Sequence, residues 1–135
     1  MQYWIKNPTI DLSKVDFAVL LDMVGGDNAC FNREFYSQIT SGFIYDMVWK
    51  SACKAGHSLK FKDKLGEAII DDHVYFLLNK IPAVVIIESN HLDTGFFCPT
   101  WHTTDDTIET IDKNTLQAIG ETMEQFLTSI FKSTA

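Results

Sequence analysis

The sequence lacks the long apolar run, the paired cysteines and the basic excess that define several classes of protein. No apolar run approaches the roughly 20 residues that a membrane-spanning helix needs. The odd set Cys30, Cys53 and Cys98 contains no CxxC spacing, which argues against a zinc knuckle or a disulfide framework. Eleven Lys and Arg against 18 Asp and Glu give a net charge of −7, which argues against nucleic acid or an anionic membrane surface as partner.

The composition is that of an ordinary globular protein. The 135 residues are 46% hydrophobic and 21% charged, and they contain neither repeats nor linker-like stretches, so we expect a single domain over residues 1–135. An apolar run from Val15 to Gly26 predicts a fully buried strand, which is typical of a parallel or mixed sheet covered on both faces. Asp22 lies near the carboxyl end of this run, where open α/β sheets bind their ligands.

Helical and strand patterns alternate along the rest of the chain. Helices are predicted over 34–55, over 71–80 and after Asp112; the second of these begins with acidic residues, and Asp112 is the N-cap of the third. Strands are predicted over 81–88 and, less clearly, within 57–70. In the first helix, Phe35, Ile39 and Phe43 fall four apart, and so do Ile44, Val48 and Ala52. The last helix carries one apolar stripe: Leu116, Ile119, Met123, Phe126, Leu127 and Ile130.

These elements predict an α/β fold of three layers, with a mostly parallel or mixed sheet flanked by helices. The strands are few, so we expect one edge of the sheet to stay open. A long irregular connection over 89–112 separates the last predicted strand from the last helix, and connections of this length in a compact domain are often functional.

Four polar residues are candidates for a site: Asp22, Asp71, Asp72 and His102. Each also has a structural explanation. Asp22 can cap a turn with the following glycines, Asp71 and Asp72 can cap or favour the start of a helix, and His102 can bond to a loop carbonyl. Hydrolytic zinc sites, however, use His and carboxylate ligands with further acids nearby as bases and orienting groups. A strand end, a helix start and a loop can converge on the carboxyl edge of a sheet.

Four motifs in order give the chain a family resemblance. "LLDMVG", "IIDDHVYFL" with "IPAVVII", "WHTTDDT" and "IDKNTLQAIGETMEQFL" resemble the carboxyl-terminal half of the zinc-dependent aminopeptidase family. The glutaminyl-peptide cyclotransferase branch is the most similar, on two points. That branch opens the short helix with Asp-Asp-His, as at Asp71, Asp72 and His73, and it places a Trp before the metal-binding His, as Trp101 stands before His102.

The resemblance implies a role for each candidate. His102 would be a zinc ligand, and Trp101 would line the pocket for the amino-terminal residue of the substrate. Asp22 matches the Asp that binds a second metal in dizinc peptidases and joins a carboxylate network with the equivalent of Asp71 in mononuclear cyclases. The implied reaction converts an amino-terminal Gln of a peptide to pyroglutamate and releases ammonia.

The sequence departs from the family pattern at two positions. Tyr75 replaces a Pro of the short helix, and Val85 stands where several cyclases carry a polar residue. His57, His73 and His91 match no ligand position, and the acidic residues of 105–109 are interpreted as a solvated turn.

The remaining ligands of the family, an Asp and a Glu, and its general-base Glu lie upstream of the region that this chain resembles. We therefore expect residues 1–135 to be the carboxyl-terminal part of a larger catalytic domain. The chain alone is expected to bind no zinc tightly, to lack cyclase activity and to self-associate through an open sheet edge. The resemblance also suggests an exported protein.

Two other functions remain open from the sequence. One is part of a zinc aminopeptidase that removes residues from free amino termini. The other is a non-catalytic α/β interaction domain with a degenerate site.

Overall fold

Helices and strands alternate along residues 1–133, the part of the chain that this computed structural model describes. The strands are β1 (Ala18–Asp22), β2 (Phe31–Arg33), β3 (Phe61–Leu65) and β4 (Ala83–Ile87). The α-helices are α1 (Gln2–Lys6), α2 (Phe35–Lys54), α3 (His73–Leu78) and α4 (Lys113–Ser133), with short 3₁₀ turns at Leu12–Lys14 and Ile108–Thr110.

Both strand pairs in the described residues are parallel, which confirms the α/β class. β1 pairs with β4, so that Asp22 lies opposite Ile87, and β2 pairs with β3. The strands form two separate two-stranded sheets instead of one continuous sheet. The pairing of β1 with β4 positions the site, because it brings the carboxyl ends of two strands to one edge.

The most buried strand is β4, and not β1 as the sequence predicted. All five residues of β4 are 2% exposed or less, whereas the residues of β1 are mostly half-buried and Leu21 is 41% exposed. Within residues 1–133, β1 has a strand neighbour on one side only, which explains its partial exposure. The prediction of a strand over this run is confirmed, and the prediction that it is fully buried is wrong.

The other edge of β4 is occupied by hydroxyl groups of α2. Ser41 Oγ accepts a hydrogen bond from the Ala83 amide (3.1 Å), and Ser37 Oγ accepts one from the Val85 amide (3.2 Å). The Tyr45 hydroxyl donates to the Val85 carbonyl (2.6 Å). Because buried backbone groups need partners, these three side chains, spaced one helical turn apart, take the place of a neighbouring strand.

Helix α2 therefore turns polar groups towards the sheet along its first half. Ile44, Val48 and Ala52 are fully buried, in agreement with their predicted periodicity, but Phe35, Ile39 and Phe43 are between 37% and 62% exposed. Ser41 departs from helical geometry (φ −141°, ψ 29°), which marks a kink beside its bond to β4.

Helix α4 begins as predicted. Asp112 accepts hydrogen bonds from the Asn114 and Thr115 amides (3.1 and 3.2 Å) and from the Thr115 hydroxyl (2.8 Å). Of the predicted stripe, Ile119 and Phe126 are buried in the core, whereas Leu116 and Leu127 are more than 40% exposed.

The two faces of β4 pack against different layers, which gives the three-layer arrangement. Val84 and Ile86 join a core cluster with α2 and α4, whereas Val85 and Ile87 pack with Ile69 on the opposite face. That opposite layer also contains Leu20, Met23 and Phe97.

We expect Tyr45→Phe to lower the free energy of unfolding by about 1–3 kcal/mol, because the change leaves the Glu34 amide and the Val85 carbonyl without their buried partner. The urea concentration at the midpoint of unfolding measures this loss, provided that the slope of the unfolding free energy against urea stays the same as in the wild type. Tyr36→Phe is the matched control on the same helix, because the Tyr36 side chain is partly exposed. Equal midpoints for the two variants would contradict the role given to the Tyr45 hydroxyl.

Candidate functional site

A cavity of about 650 Å³ opens at the carboxyl ends of β1 and β4. Its walls come from the turn after β1, the residue after β4, the long loop and the start of α4. The lining residues include Asp22, Gly25, Glu88, His91, Trp101 and Leu116. The cavity thus lies where parallel strands end, which is the usual location of ligand sites in open α/β sheets.

The structure brings Asp22 and Asp71 into contact. Asp22 is the last residue of β1, and Asp71 immediately precedes the first turn of α3. Burial raises the pKa of Asp22, and the hydrogen bond and negative charge of Asp71 raise this pKa further. Both causes, removal from solvent and a neighbouring negative charge, disfavour the ionised form of a carboxyl group.

The surroundings of Asp71 are consistent with a shared proton. Its Oδ1 accepts a hydrogen bond from the Asp72 amide (2.7 Å), whereas its Oδ2 is buried without a donor among the described residues. A proton carried by Asp22 would satisfy this second oxygen, because a protonated carboxyl is a donor.

Asp72 does not share this environment. Its side chain is 45% exposed, lies 3.3 Å from the amino group of Met1 and makes no capping hydrogen bond to α3. The structural alternative, with Asp71 as N-cap and Asp72 as an acid of the first turn, is wrong, because Asp72 holds the N-cap position and the first turn contains no acidic residue. Asp72 acts on Asp22 only through its charge.

Trp101 lines the cavity and forms part of an aromatic group on the long loop. Its ring lies 4.7 Å from that of Phe97 and stacks on that of His102 at 4.0 Å. Trp101 is 42% exposed, so part of the indole remains accessible from the cavity mouth.

His102 follows on the same loop but is not among the residues that line the cavity. It is exposed and has a left-handed backbone conformation (φ 56°). Within residues 1–133, no three His, Cys, Asp or Glu side chains are grouped so that they could hold a metal ion. His102 therefore offers one imidazole of the donor type that zinc prefers, out of the four ligands of a zinc site.

Glu88 is a site residue that the sequence analysis missed. It follows β4 directly, is 4% exposed and lines the same cavity as Asp22. Burial raises its pKa, and the charges of His91 and Lys60 oppose this shift. Gly26 faces it closely, since a Cβ at position 26 would lie 2.7 Å from Glu88 Oε2. The signal was present in the sequence: an acidic residue at the carboxyl end of an apolar run, as at Asp22.

Glu34 and His73 form a buried pair behind the site. His73 Nε2 lies 3.2 Å from Glu34 Oε2, and both side chains are shielded from solvent. Burial alone would raise the pKa of Glu34, but the contact with His73 and the hydrogen bonds from the Ile69 amide and Ser37 outweigh it and lower this pKa to about 2.

The low pKa of Glu34 predicts a pH-dependent contribution to stability. The unfolded chain binds this proton near pH 4.5 and the folded chain only near 2, so the contribution is complete above 4.5 and disappears as the pH falls towards 2. At neutral pH it is up to about 3 kcal/mol. We expect the difference in urea midpoint between wild type and Glu34→Gln to shrink from pH 5 to pH 3. The exposed Glu124→Gln variant controls for the loss of one charge, and a difference that stays constant would contradict the assignment.

A parallel α/β scaffold that pairs a carboxyl at a strand end, Asp22, with one ahead of a helix, Asp71, is an arrangement suited to acid–base chemistry on a bound ligand. The model of peptidase family M28 matches residues 2–127, and the chain belongs to this family.

Solved structures with the same fold include cyclases and exopeptidases. The chain is similar to a glutaminyl cyclase of Bacteroides thetaiotaomicron, bound to N-acetylhistamine, with 44% identity and a TM-score of 0.85 over 93% of the chain. It is also similar to a leucine aminopeptidase precursor of the same species, with 42% identity and a TM-score of 0.83 over 93% of the chain. Among curated proteins, a glutaminyl-peptide cyclotransferase of Gloydius blomhoffii is 24% identical over 127 residues, 88% of the chain.

These similarities confirm the predicted resemblance to the glutaminyl cyclases and zinc exopeptidases. The chain spans 42% and 41% of the lengths of the two bacterial structures and 33% of the length of the Gloydius blomhoffii protein. No helix within residues 1–133 is long and apolar enough to cross a membrane.

Proposed function

We propose that this chain is the carboxyl-terminal part of a glutaminyl-peptide cyclotransferase that acts on peptides with an amino-terminal Gln. The observation that carries the proposal is that Asp22, which lines the cavity together with Trp101, is paired with Asp71. The similarity to a bacterial glutaminyl cyclase at 44% identity supports the same activity.

The reaction needs one proton to move between two nitrogens. The α-amine of the substrate bonds to its own γ-amide carbon, the bond from that carbon to the amide nitrogen breaks, and ammonia leaves. In the proposal the general-base Glu of the upstream segment takes the proton that the attacking amine loses, and a proton is returned to the departing nitrogen. The Asp22–Asp71 pair takes part in this relay by sharing a proton. Trp101 covers the amino-terminal residue and keeps water from the reacting atoms.

Zinc would complete this site in the whole protein. His102 would supply one ligand, and the bound metal would polarise the γ-amide carbonyl. The other ligands would come from an upstream Asp and Glu, so an in-frame upstream segment that carries them supports the proposal. Its absence supports a non-catalytic interaction domain.

A zinc aminopeptidase is the second candidate, favoured by the similarity to the leucine aminopeptidase precursor. The full-length protein should be given Gln-peptides, with ammonia release as readout, and aminoacyl anilides, with aniline release as readout. Ammonia release without anilide cleavage is expected. The reverse result would overturn the cyclase proposal, and inactivity towards both would favour the interaction domain.

The 135-residue chain itself is proposed to bind no zinc tightly and to lack cyclase activity, because a single imidazole does not retain zinc against water. It is also proposed to self-associate through the outer edge of β1, where the described residues provide no neighbouring strand. A monomeric, zinc-loaded and active preparation would contradict these statements. Export of the full protein is a further proposal, to be checked by locating it in cell fractions.

A further inference from the structure

The segment that carries Asp71, residues 69–73, contacts the buried carboxylate of Glu34 at both of its ends. The Ile69 amide donates to Glu34 Oε1 (2.9 Å), and His73 Nε2 lies 3.2 Å from Glu34 Oε2. Asp71 lies midway between these two attachment points. Its backbone position therefore depends on the position of Glu34.

Glu34 is itself fixed at the amino terminus of α2. Its Oε1 accepts from the Tyr36 amide (2.9 Å), and its Oε2 accepts from the amide and the hydroxyl of Ser37 (2.7 Å each). Glu34 is 1% exposed, so water does not compete for these bonds.

The same groups connect Glu34 to the strand that holds Asp22 in register. The Glu34 amide donates to the Tyr45 hydroxyl (3.0 Å), which donates to the Val85 carbonyl, and Ser37 Oγ accepts from the Val85 amide. β4 in turn pairs with β1, with Ile87 opposite Asp22. A continuous set of buried hydrogen bonds and one strand pairing thus joins the two carboxyl-bearing segments.

The length of the Glu34 side chain is informative. Asp, Ser, Thr and Asn are the preferred N-cap residues, and a side chain one methylene shorter than Glu suffices to cap a helix. The additional methylene lets one carboxylate reach the Ile69 amide and His73 while it still caps α2.

We propose that Glu34 is a positioning residue, which contacts residues 69 and 73 at once and so holds Asp71 against Asp22. The inference rests on the proposed function for its effect on activity, and on the contacts above for its effect on structure. Glu34 does not line the cavity, and in this proposal it acts through the segment that it holds.

Glu34→Asp separates the two roles of this residue, because Asp keeps the helix cap and is too short to hold Ile69 and His73 as well. In the full-length protein we expect kcat to fall about 10- to 100-fold, with KM and zinc content nearly unchanged. Hydrogen exchange of the Ile69 amide should accelerate at least about tenfold. Glu34→Gln restores the length and one acceptor oxygen, and should recover part of the lost kcat.

Val48→Ala is the matched control for destabilisation, since Val48 is a buried residue of the same helix that belongs to the α2–α4 core. It should leave kcat and the exchange of the Ile69 amide unchanged under conditions where the protein is folded. If the Glu34→Asp protein had the same kcat and the same Ile69 exchange rate as this control, the positioning role of Glu34 would be refuted.

The two proposals fail in different ways. A wild-type protein that turns over neither Gln-peptides nor aminoacyl anilides refutes the proposed function. In that case the positioning role of Glu34 is tested by the exchange rate of the Ile69 amide and by the position of Asp71 in a crystal structure of the Glu34→Asp variant. An Asp71 that keeps its contact with Asp22 refutes it, and a displaced Asp71 supports it.

Discussion

Asp71→Asn is expected to lower the kcat for Gln-peptides by roughly 10²- to 10⁴-fold, the range for loss of a positioned acid–base group. The Asn side chain keeps an oxygen for the Asp72 amide, so the local turn should survive. It cannot share a proton with Asp22 as a carboxyl does. Steady-state kinetics of the full-length protein, together with its circular dichroism spectrum, measure the effect.

Asp72→Asn is the matched control for this change. It removes a neighbouring carboxylate whose side chain is 45% exposed, and exposed charges contribute only about 0–1 kcal/mol to their ion pairs. Its kcat should stay close to that of the wild type. If both variants lost the same factor, the effect would be one of charge at the cavity, and the specific pairing of Asp71 with Asp22 would be refuted.

His102→Ala is expected to weaken zinc binding to the full-length protein by at least about 100-fold, because loss of an outer partner of a ligand alone costs 10- to 100-fold. Competition with a chelator measures this affinity without reference to activity. His57→Ala is the control, since His57 Nε2 contacts Glu121 on α4, far along the chain from the loop of His102. Equal zinc affinity of wild type and His102→Ala would remove His102 from the ligand set.

The parts of the fold that sequence patterns predicted are those set by local physics. The β-branched run at 83–87 forms the buried strand, and Asp112 caps α4 through bonds to residues two and three positions ahead. Both features depend on neighbours in sequence, which a periodicity or a capping pattern records.

The inward face of α2 could not be predicted in this way. Ser37 and Ser41 resemble the solvated positions of a helix, and Phe35, Ile39 and Phe43 resemble the buried ones. The structure reverses this assignment because β4 has an edge whose amides need acceptors, more than 40 residues further along the chain. Helical periodicity contains no information about the hydrogen-bonding needs of a distant strand.

In the candidate site, too, short motifs predicted some residues, whereas residues that depend on distant contacts could not be predicted. Family motifs predicted Asp22, Asp71 and Trp101 as site residues; Asp22 and Trp101 line the cavity, and Asp71 lies beside Asp22. The sequence pattern predicts Glu34 only as the start of a helix, because its hydrogen-bond partner Ile69 is 35 residues further along the chain. Its buried contacts with that segment become visible only when the chain is folded.

The hydroxyl groups that cover one side of β4 also determine how this sheet can be extended. Ala83 and Val85 have their outward amides already engaged by α2, so no strand can be added there unless the helix moves away. Any additional strand, from whatever length of polypeptide, must join from the β1 side. The architecture is therefore directional, and a larger domain built on these residues can extend the β1–β4 sheet only beyond the outer edge of β1.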